Sequence, residues 1–126
     1  MNNLESKGLE TKGDTIKILV RHLAVTQLIL DFEQINTLIF ASQLHLIKKL
    51  NEVAGQGKSR EYIEDYCAKI RELTPELKEW TTEQYLNFLF VRSLITVQGG
   101  FYHITNKGVD FLTWMARTGQ REYHVL

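Results

Sequence analysis

The sequence has one cysteine and one proline among 126 residues, and its formal net charge is zero. With Cys67 alone, the chain can form no internal disulfide and has no second cysteine for a zinc cluster, so we expect a reducing compartment. The neutral charge also excludes a strongly basic composition. Since phosphate neutralisation supplies most non-specific affinity for nucleic acids, any such affinity would have to come from a local basic face.

Long hydrophobic runs are also lacking. Polar residues interrupt the most apolar stretch of the chain, so no segment is predicted to span a membrane. The interrupting residues are Arg21, His22, Gln27, Asp31 and Glu33. Residues 1–14 are polar, lack the apolar centre of a signal peptide, and are predicted to be a disordered tail. We expect a cytoplasmic protein with no membrane partner.

The chain is 44% hydrophobic, which is enough to bury the core of one domain with a dimerising extension. Residues 15–33 are predicted to form an N-terminal dimerisation helix with two apolar faces. The first face carries Ile16, Leu19, Val20, Leu23 and Leu30, and the second face carries Ile18, Val25, Leu28, Ile29 and Phe32. A helix that is apolar on two sides needs two partners. We expect its own domain and the same helix of a second copy, giving a homodimer; the alternative is a buried helix of a monomer.

Local sequence patterns predict the helices and strands of the rest of the chain. Helices are predicted at about 35–53 and 59–73, and the polar residues 31–34 are expected to separate the first of these from the N-terminal helix. Thr81 and Gln84 form a capping box that begins a helix running to about residue 93. Two apolar runs, 94–97 and 101–104, flank Gly99-Gly100, which can take the positive φ angles of a tight hairpin turn. A last helix is predicted at 109–117, followed by a C-terminal tail at 119–126.

This arrangement resembles a winged helix-turn-helix domain of the MarR and PadR types of regulator. The resemblance is carried by Leu94-Ile95, by Phe-Tyr-His-Ile-Thr at 101–105, and by Asn-Lys-Gly-Val-Asp-Phe-Leu at 106–112. It implies a mainly α fold with a small β-hairpin wing and an extra N-terminal helix, and it assigns residues 35–118 to the winged-helix domain. One departure from the pattern is the longer connection at 74–80.

The resemblance further implies a dimeric transcriptional regulator in which helix 81–93 enters the major groove of double-stranded DNA. Gln84 and Asn87 would then contact adenine edges beside Thr81, whereas Glu83 would repel phosphate. The cations that could reach the DNA backbone are Lys78, Arg92 and Lys107, with Lys58 and Arg60 as further candidates. The tip of the wing, residues 98–100, has no cation.

A second interpretation is a winged-helix module that binds a protein instead of DNA. Helix 81–93 carries apolar residues where that family usually has polar ones, and fold alone does not decide between the two functions. The apolar face of this alternative comprises Trp80, Phe88, Phe90 and Val91.

An enzyme is the weakest interpretation. The histidines at 22, 45, 103 and 124 show no metal-ligand spacing, and Cys67 on a helix is expected to be a buried, unreactive thiol. The Gly-Gln-Gly-Lys segment at 55–58 lacks the spacing of a phosphate-binding loop. We therefore expect no catalytic residue, no metal site and no cofactor.

Overall fold

The computed structural model describes the backbone of residues 2–119 and the side chains of residues 12–119. The fold is mainly helical with one small antiparallel sheet, which confirms the expected combination of helices with a β-hairpin. In chain order the elements are α1 (Asn2–Leu38), α2 (Ala41–Glu52), β1 (Lys58–Ser59), α3 (Arg60–Leu73), a 3₁₀ turn (Pro75–Leu77), α4 (Thr82–Val91), β2 (Ile95–Gln98), β3 (Phe101–Ile104) and α5 (Asn106–Thr118).

The chain forms two compact units, Met1–Asn36 and Thr37–Leu126. In the first unit, two expectations from the sequence were wrong. Residues 2–13 are helical where a disordered tail was expected, and α1 continues through residues 31–34 where a break was expected. The physical reason is that these polar residues are not helix breakers: Glu33 and Gln34 have good helix propensity, and the segment contains no proline.

In the second unit, α2 begins at Ala41, six residues later than predicted, because residues 35–38 belong to α1. Phe40 is extended, and its N–H donates to Oε1 of Gln43 at 2.9 Å. The side chain of Gln43 therefore caps the start of α2. It is only 2% exposed, so it does this inside the core.

The sheet contains one strand that the sequence did not predict. β1 pairs with β3 antiparallel, and the strand order is β1-β3-β2. The predicted hairpin is formed by β2 and β3, with Val97 opposite Tyr102 and Gln98 opposite Phe101. A two-residue strand such as β1 is too short to show the alternating pattern of a strand.

The helix starts follow local hydrogen bonds. The capping box of α4 is confirmed, because the N–H of Gln84 donates to Thr81 Oγ1 at 3.1 Å and the N–H of Thr81 donates to Gln84 Oε1 at 2.9 Å. Ser59 caps α3 through the N–H of Tyr62, as predicted. Thr105 accepts from the N–H of Gly108 at 3.0 Å, so α5 starts at Asn106 and not at residue 109.

Three glycines shape the hairpin and its approach to α5. Gly99 and Gly100 have φ angles of 59° and 81°, which confirms the predicted turn. At Gly108 an added Cβ would come within 2.5 Å of the Leu94 carbonyl oxygen, so only glycine lets α5 approach the start of β2 this closely.

The core of the second unit draws on all of its helices and on the hairpin. Its fully buried side chains include Ile39, Leu44, Leu46, Ile47, Leu50, Ile63, Leu77, Leu86, Leu89, Leu94 and Phe111. α5 ends at Thr118 and is capped by Gly119, which has a left-handed backbone and donates its N–H to the Met115 carbonyl. Of the predicted C-terminal tail at 119–126, residues 120–126 lie outside the described part of the chain.

We predict that Gly100→Val destabilises the second unit by about 1–3 kcal/mol, because a β-branched residue at positive φ is strained. The space around Gly100 is open, so the cost comes from the backbone and not from a clash. Gly100→Asn is the matched control, since asparagine tolerates the left-handed region. Urea unfolding measures both variants, and equal stability of the valine and asparagine variants would contradict the strained turn.

Candidate nucleic-acid interface

Helix α4 has a buried side and an exposed side. Tyr85, Leu86 and Leu89 point into the core and are at most 3% exposed. The exposed side begins with polar residues, and Trp80, Glu83, Gln84 and Asn87 line an open depression on the surface. Glu83, Gln84 and Asn87 lie in the first two turns of α4, so this part of the helix presents its side chains to solvent on one side.

Hydrogen bonds to tyrosines fix the buried side of α4 to α2. Gln43 Nε2 donates to the Tyr85 carbonyl at 2.7 Å, and the Tyr85 hydroxyl donates to Ser42 Oγ at 2.6 Å. From α3, the Tyr66 hydroxyl donates to the Ser42 carbonyl at 2.7 Å. Burial raises the pKa of both Tyr66 and Tyr85, so both phenols remain neutral donors. Ser42 thus joins three helices.

Arg60, the first residue of α3, joins α3 to α4 and to the sheet. Its Nη1 donates to the Tyr102 hydroxyl at 2.7 Å, and its Nη2 donates to Glu83 Oε1 at 2.5 Å. Its Nε donates to Glu64 Oε1 at 2.9 Å. The hydrogen bonds to Tyr102, Glu83 and Glu64 raise the pKa of Arg60, and the bond from Arg60 lowers the pKa of Glu83.

This ion pair changes the electrostatics expected from the sequence. Arg60 was a candidate for a phosphate contact, but its guanidinium is engaged by two carboxylates and a phenol. Glu83 was expected to repel phosphate, and its charge is balanced by Arg60. Lys58, the other additional candidate, lies with its Nζ 4.6 Å from the centre of the Tyr62 ring. Arg71 also lies at the start of α4, where its Nη1 donates to the Trp80 carbonyl at 3.3 Å. Two guanidinium groups therefore face the carboxylates of Glu64 and Glu83, and the start of α4 is close to electrically neutral.

The structure distinguishes the residues that were predicted to face the groove. Thr81 and Gln84 use each other in the capping box, in which Gln84 Oε1 accepts from the Thr81 N–H and so faces the backbone, while its Nε2 remains a donor. Adenine recognition needs the donor and the acceptor of one amide to face the base together, and the cap directs the Gln84 oxygen to the Thr81 backbone, so an intact cap opposes this use of Gln84. Asn87 is exposed one turn later, and its amide keeps both groups.

The predicted phosphate-contacting cations lie on three segments. Lys78 is exposed just before α4, Arg92 follows α4, and Lys107 is in the first turn of α5. The Arg92 guanidinium lies 5.7 Å from the centre of the Phe88 ring. Cation–π contact of this kind holds the side chain against its own helix.

The apolar residues of the alternative interpretation do not form a single cluster. Trp80 is 37% exposed, and its ring centre is 5.7 Å from that of Phe40. Phe90 is 38% exposed and packs 6.2 Å from the ring of Tyr102 in the sheet. Val91 is 69% exposed. The exposed apolar surface at the end of α4 therefore continues onto the hairpin, while Trp80 packs at the other end of the helix.

The cysteine has the environment expected of an unreactive thiol. Cys67 is 1% exposed, and burial raises its pKa to about 11, so it is protonated at neutral pH. Within residues 12–119, no group of three or more His, Cys, Asp or Glu side chains is arranged to hold a metal ion. The described part of the chain also contains no helix with the length and apolar character needed to cross a membrane.

Sequence analysis missed the contributions of Gln43 and Ser42 and the ion pair between Arg60 and Glu83. Arg60 and Glu64 have the i, i+4 spacing of a helical pair, which was a usable signal. Glu83 is 23 residues from Arg60 and Tyr85 is 42 from Gln43, so no local pattern connects them.

Comparison with protein-family models, with curated proteins and with solved structures found no match to this chain. We therefore argue function from the geometry and chemistry of the site itself.

We predict that the ion pair to Arg60 makes the contribution of Glu83 to stability dependent on pH. Because the pKa of folded Glu83 is lowered from 4.5, that contribution is present above about pH 4.5 and is lost as the pH falls through the folded value. Glu83→Gln should be less stable than wild type at pH 7, and the difference should shrink as the pH falls below 4.5.

Urea midpoints measured between neutral and acidic pH provide the test. Glu79→Gln is the matched control, because Glu79 is an exposed glutamate just before α4 with no ion pair in the described chain. A difference between wild type and Glu83→Gln that stays constant with pH would show that the Arg60–Glu83 pair adds no stability.

Proposed function

We propose that the chain is a winged-helix DNA-binding protein that acts as a homodimer and regulates transcription. The order α2-β1-α3-α4-β2-β3-α5, with a three-stranded sheet closed by a glycine turn, supports the winged-helix assignment. In that fold α4 takes the recognition position and the β2–β3 hairpin is the wing. The proposal assigns the protein to the cytoplasm, where a lone thiol such as Cys67 stays reduced.

The observation that carries the proposal is the two-sided character of α4. Its apolar side is fixed by the core and by Gln43, whereas its first two turns present Thr81, Gln84 and Asn87 to solvent. The charge of the acid among them, Glu83, is offset by Arg60, which pairs with it, and by the nearby Arg71. A rigidly held helix with a polar, nearly neutral exposed edge suits the major groove, where base edges offer both hydrogen-bond donors and acceptors.

The chemistry of these side chains indicates what they would recognise. Asn87 can pair with adenine through both groups of its amide, and Gln84 can donate to an acceptor on guanine or thymine. Lys78, Arg92 and Lys107 would contact phosphates. With three such contacts per copy, a dimer would contact six phosphates, and the logarithm of the binding constant should fall with the logarithm of salt concentration with a slope of about −5.

A protein partner is the second candidate, and one observation favours it. Phe90 and Val97 lie on the side of the sheet that carries Tyr102, and they are 38% and 44% exposed next to the 69% exposed Val91. Exposed apolar residues that continue from a helix onto a hairpin are typical of interaction surfaces.

We predict that Asn87→Ala lowers the affinity for a preferred duplex by about 1–3 kcal/mol, because one bidentate base contact is lost. The duplex would be selected from a random pool by the full chain, and binding measured by fluorescence anisotropy. Asn51→Ala, at an exposed position near the end of α2, is the matched control and should bind as wild type. If no duplex is retained at low salt, the DNA proposal fails and the protein-partner proposal takes its place.

We predict that Lys107→Ala weakens binding to all duplexes alike, because a phosphate contact carries no sequence information, and that the salt slope becomes shallower by about one per copy, or about two for the dimer. Lys69→Ala removes an exposed lysine from α3 and should change neither quantity. Titrations at several salt concentrations, on the selected duplex and on a scrambled one, measure both effects. A loss confined to the selected duplex would contradict the assignment of Lys107 to phosphate.

A further inference from the structure

The largest exposed apolar surface of the described chain is on α1. The five residues of its first face, defined above, are 53–61% exposed: Ile16, Leu19, Val20, Leu23 and Leu30. Exposed apolar patches of several hundred Å² often mark interaction sites on proteins. The helix also has little to stabilise it alone, since isolated helices in water are marginal and proteins stabilise them by packing an apolar face.

The two faces of α1 differ in how far they are already covered. On the second face, Phe32 is 4% exposed, and Ile35 in the next turn is buried completely. At the same end of the helix, Leu30 and Leu38 on the side of the first face are both 53% exposed. Ile18 and Val25 of the second face are 65% and 56% exposed, so the two faces are equally open there and differ in exposure from about residue 28 onwards, where only the first face stays more than half exposed.

The two faces of α1 also differ in the charged residues beside them. Between residues 15 and 30 the charged side chains are Lys17 and Arg21. At 3.6 residues per turn they lie roughly 100° or more around the helix from Ile16, towards the second face. The first face carries no charge over these residues, so two copies of it can meet without repulsion.

The spacing of the first face matches self-association. Ile16, Leu23 and Leu30 recur at intervals of seven, with Leu19 and Val20 between the first two, as in a two-helix coiled coil. Thr26 is a polar neighbour on this side, and its hydroxyl already donates to the His22 carbonyl at 2.9 Å. Its hydrogen-bonding group is thus satisfied within α1, and its methyl group is available for packing.

The available area is sufficient for a dimer. Five large side chains, each more than half exposed, offer on the order of 500 Å² of apolar surface per chain, so pairing two faces would remove about 1,000 Å² from water. That value reaches the lower bound for a specific interface before flanking residues are counted. We infer that the first face of α1 binds the same face of a second copy of this chain, forming a two-helix coiled coil.

This inference specifies the homodimer of the proposed function but does not depend on DNA binding. Sedimentation of the full chain should give twice the 14.7 kDa chain mass at micromolar concentration. Leu23→Asp places a charge at the centre of the seam and should raise the dimer dissociation constant by at least about 100-fold. Leu30→Asp, a second seam variant, should act in the same direction.

Leu73→Asp is the matched control, because Leu73 is 79% exposed at the end of α3 and should leave the mass unchanged. A cooperative urea transition, retained in each variant, shows that the second unit is still folded. A wild-type protein that stays at 14.7 kDa up to about 100 µM would overturn the inference. So would a Leu23→Asp protein that associates as tightly as wild type, or an equal loss of association in Leu73→Asp. If the protein binds duplex DNA as a monomer, the dimer inference is wrong and the DNA-binding proposal stands.

Discussion

The attachment of α4 to its neighbours is the constraint on which the candidate site depends. One side of the helix is held by the Tyr85 side chain and by the bond from Gln43 to the Tyr85 carbonyl. Near its first turn, Arg60 connects Glu83 to Tyr102 of the sheet. Because the helix is fixed from both directions, its exposed residues and the hairpin keep a defined relation. A recognition surface needs that rigidity, since each mobile side chain would lose entropy on binding.

The near-neutral start of α4 has consequences for the kind of recognition we propose. Surface ion pairs such as Arg60–Glu83 add little stability, and the value of this one is that it removes an unfavourable charge from the proposed interface. With few cations available, non-specific attraction to DNA would be weak. Affinity would depend more on hydrogen bonds to bases and on two copies acting together than on phosphate neutralisation. A dimer through α1 would provide the second copy.

The sequence predicted the features that depend on neighbouring residues. The capping box of Thr81 and Gln84, the cap at Ser59 and the turn at Gly99-Gly100 were all identified, because each is a local hydrogen bond or backbone preference. Strand β1 was not predicted, because Lys58 and Ser59 form a strand only through their pairing with β3. The polar residues 31–34 suggested a break in α1, but polarity without proline or glycine does not end a helix.

The site was predicted less completely than the fold, for the same physical reason. Asn87 was correctly identified as exposed. The capping box holds the Gln84 oxygen at the backbone of Thr81, and the effect of this bond on base recognition by Gln84 becomes evident only from the structure. The pairing of Arg60 with Glu83 spans 23 residues, and the link from Gln43 to Tyr85 spans 42. Contacts at such separations are set by the packing of helices and leave no local pattern in the sequence.

The central claim is that the exposed edge of α4, together with the hairpin, is the surface that meets DNA. Amide chemical-shift mapping by NMR on the full chain, titrated with its selected duplex, tests this most directly. The account predicts that the largest shifts fall on residues 81–87 and on the hairpin tip at 98–101, with little change in α2. Shifts confined to Phe90, Val91 and Val97, or no shifts at all at low salt, would contradict it.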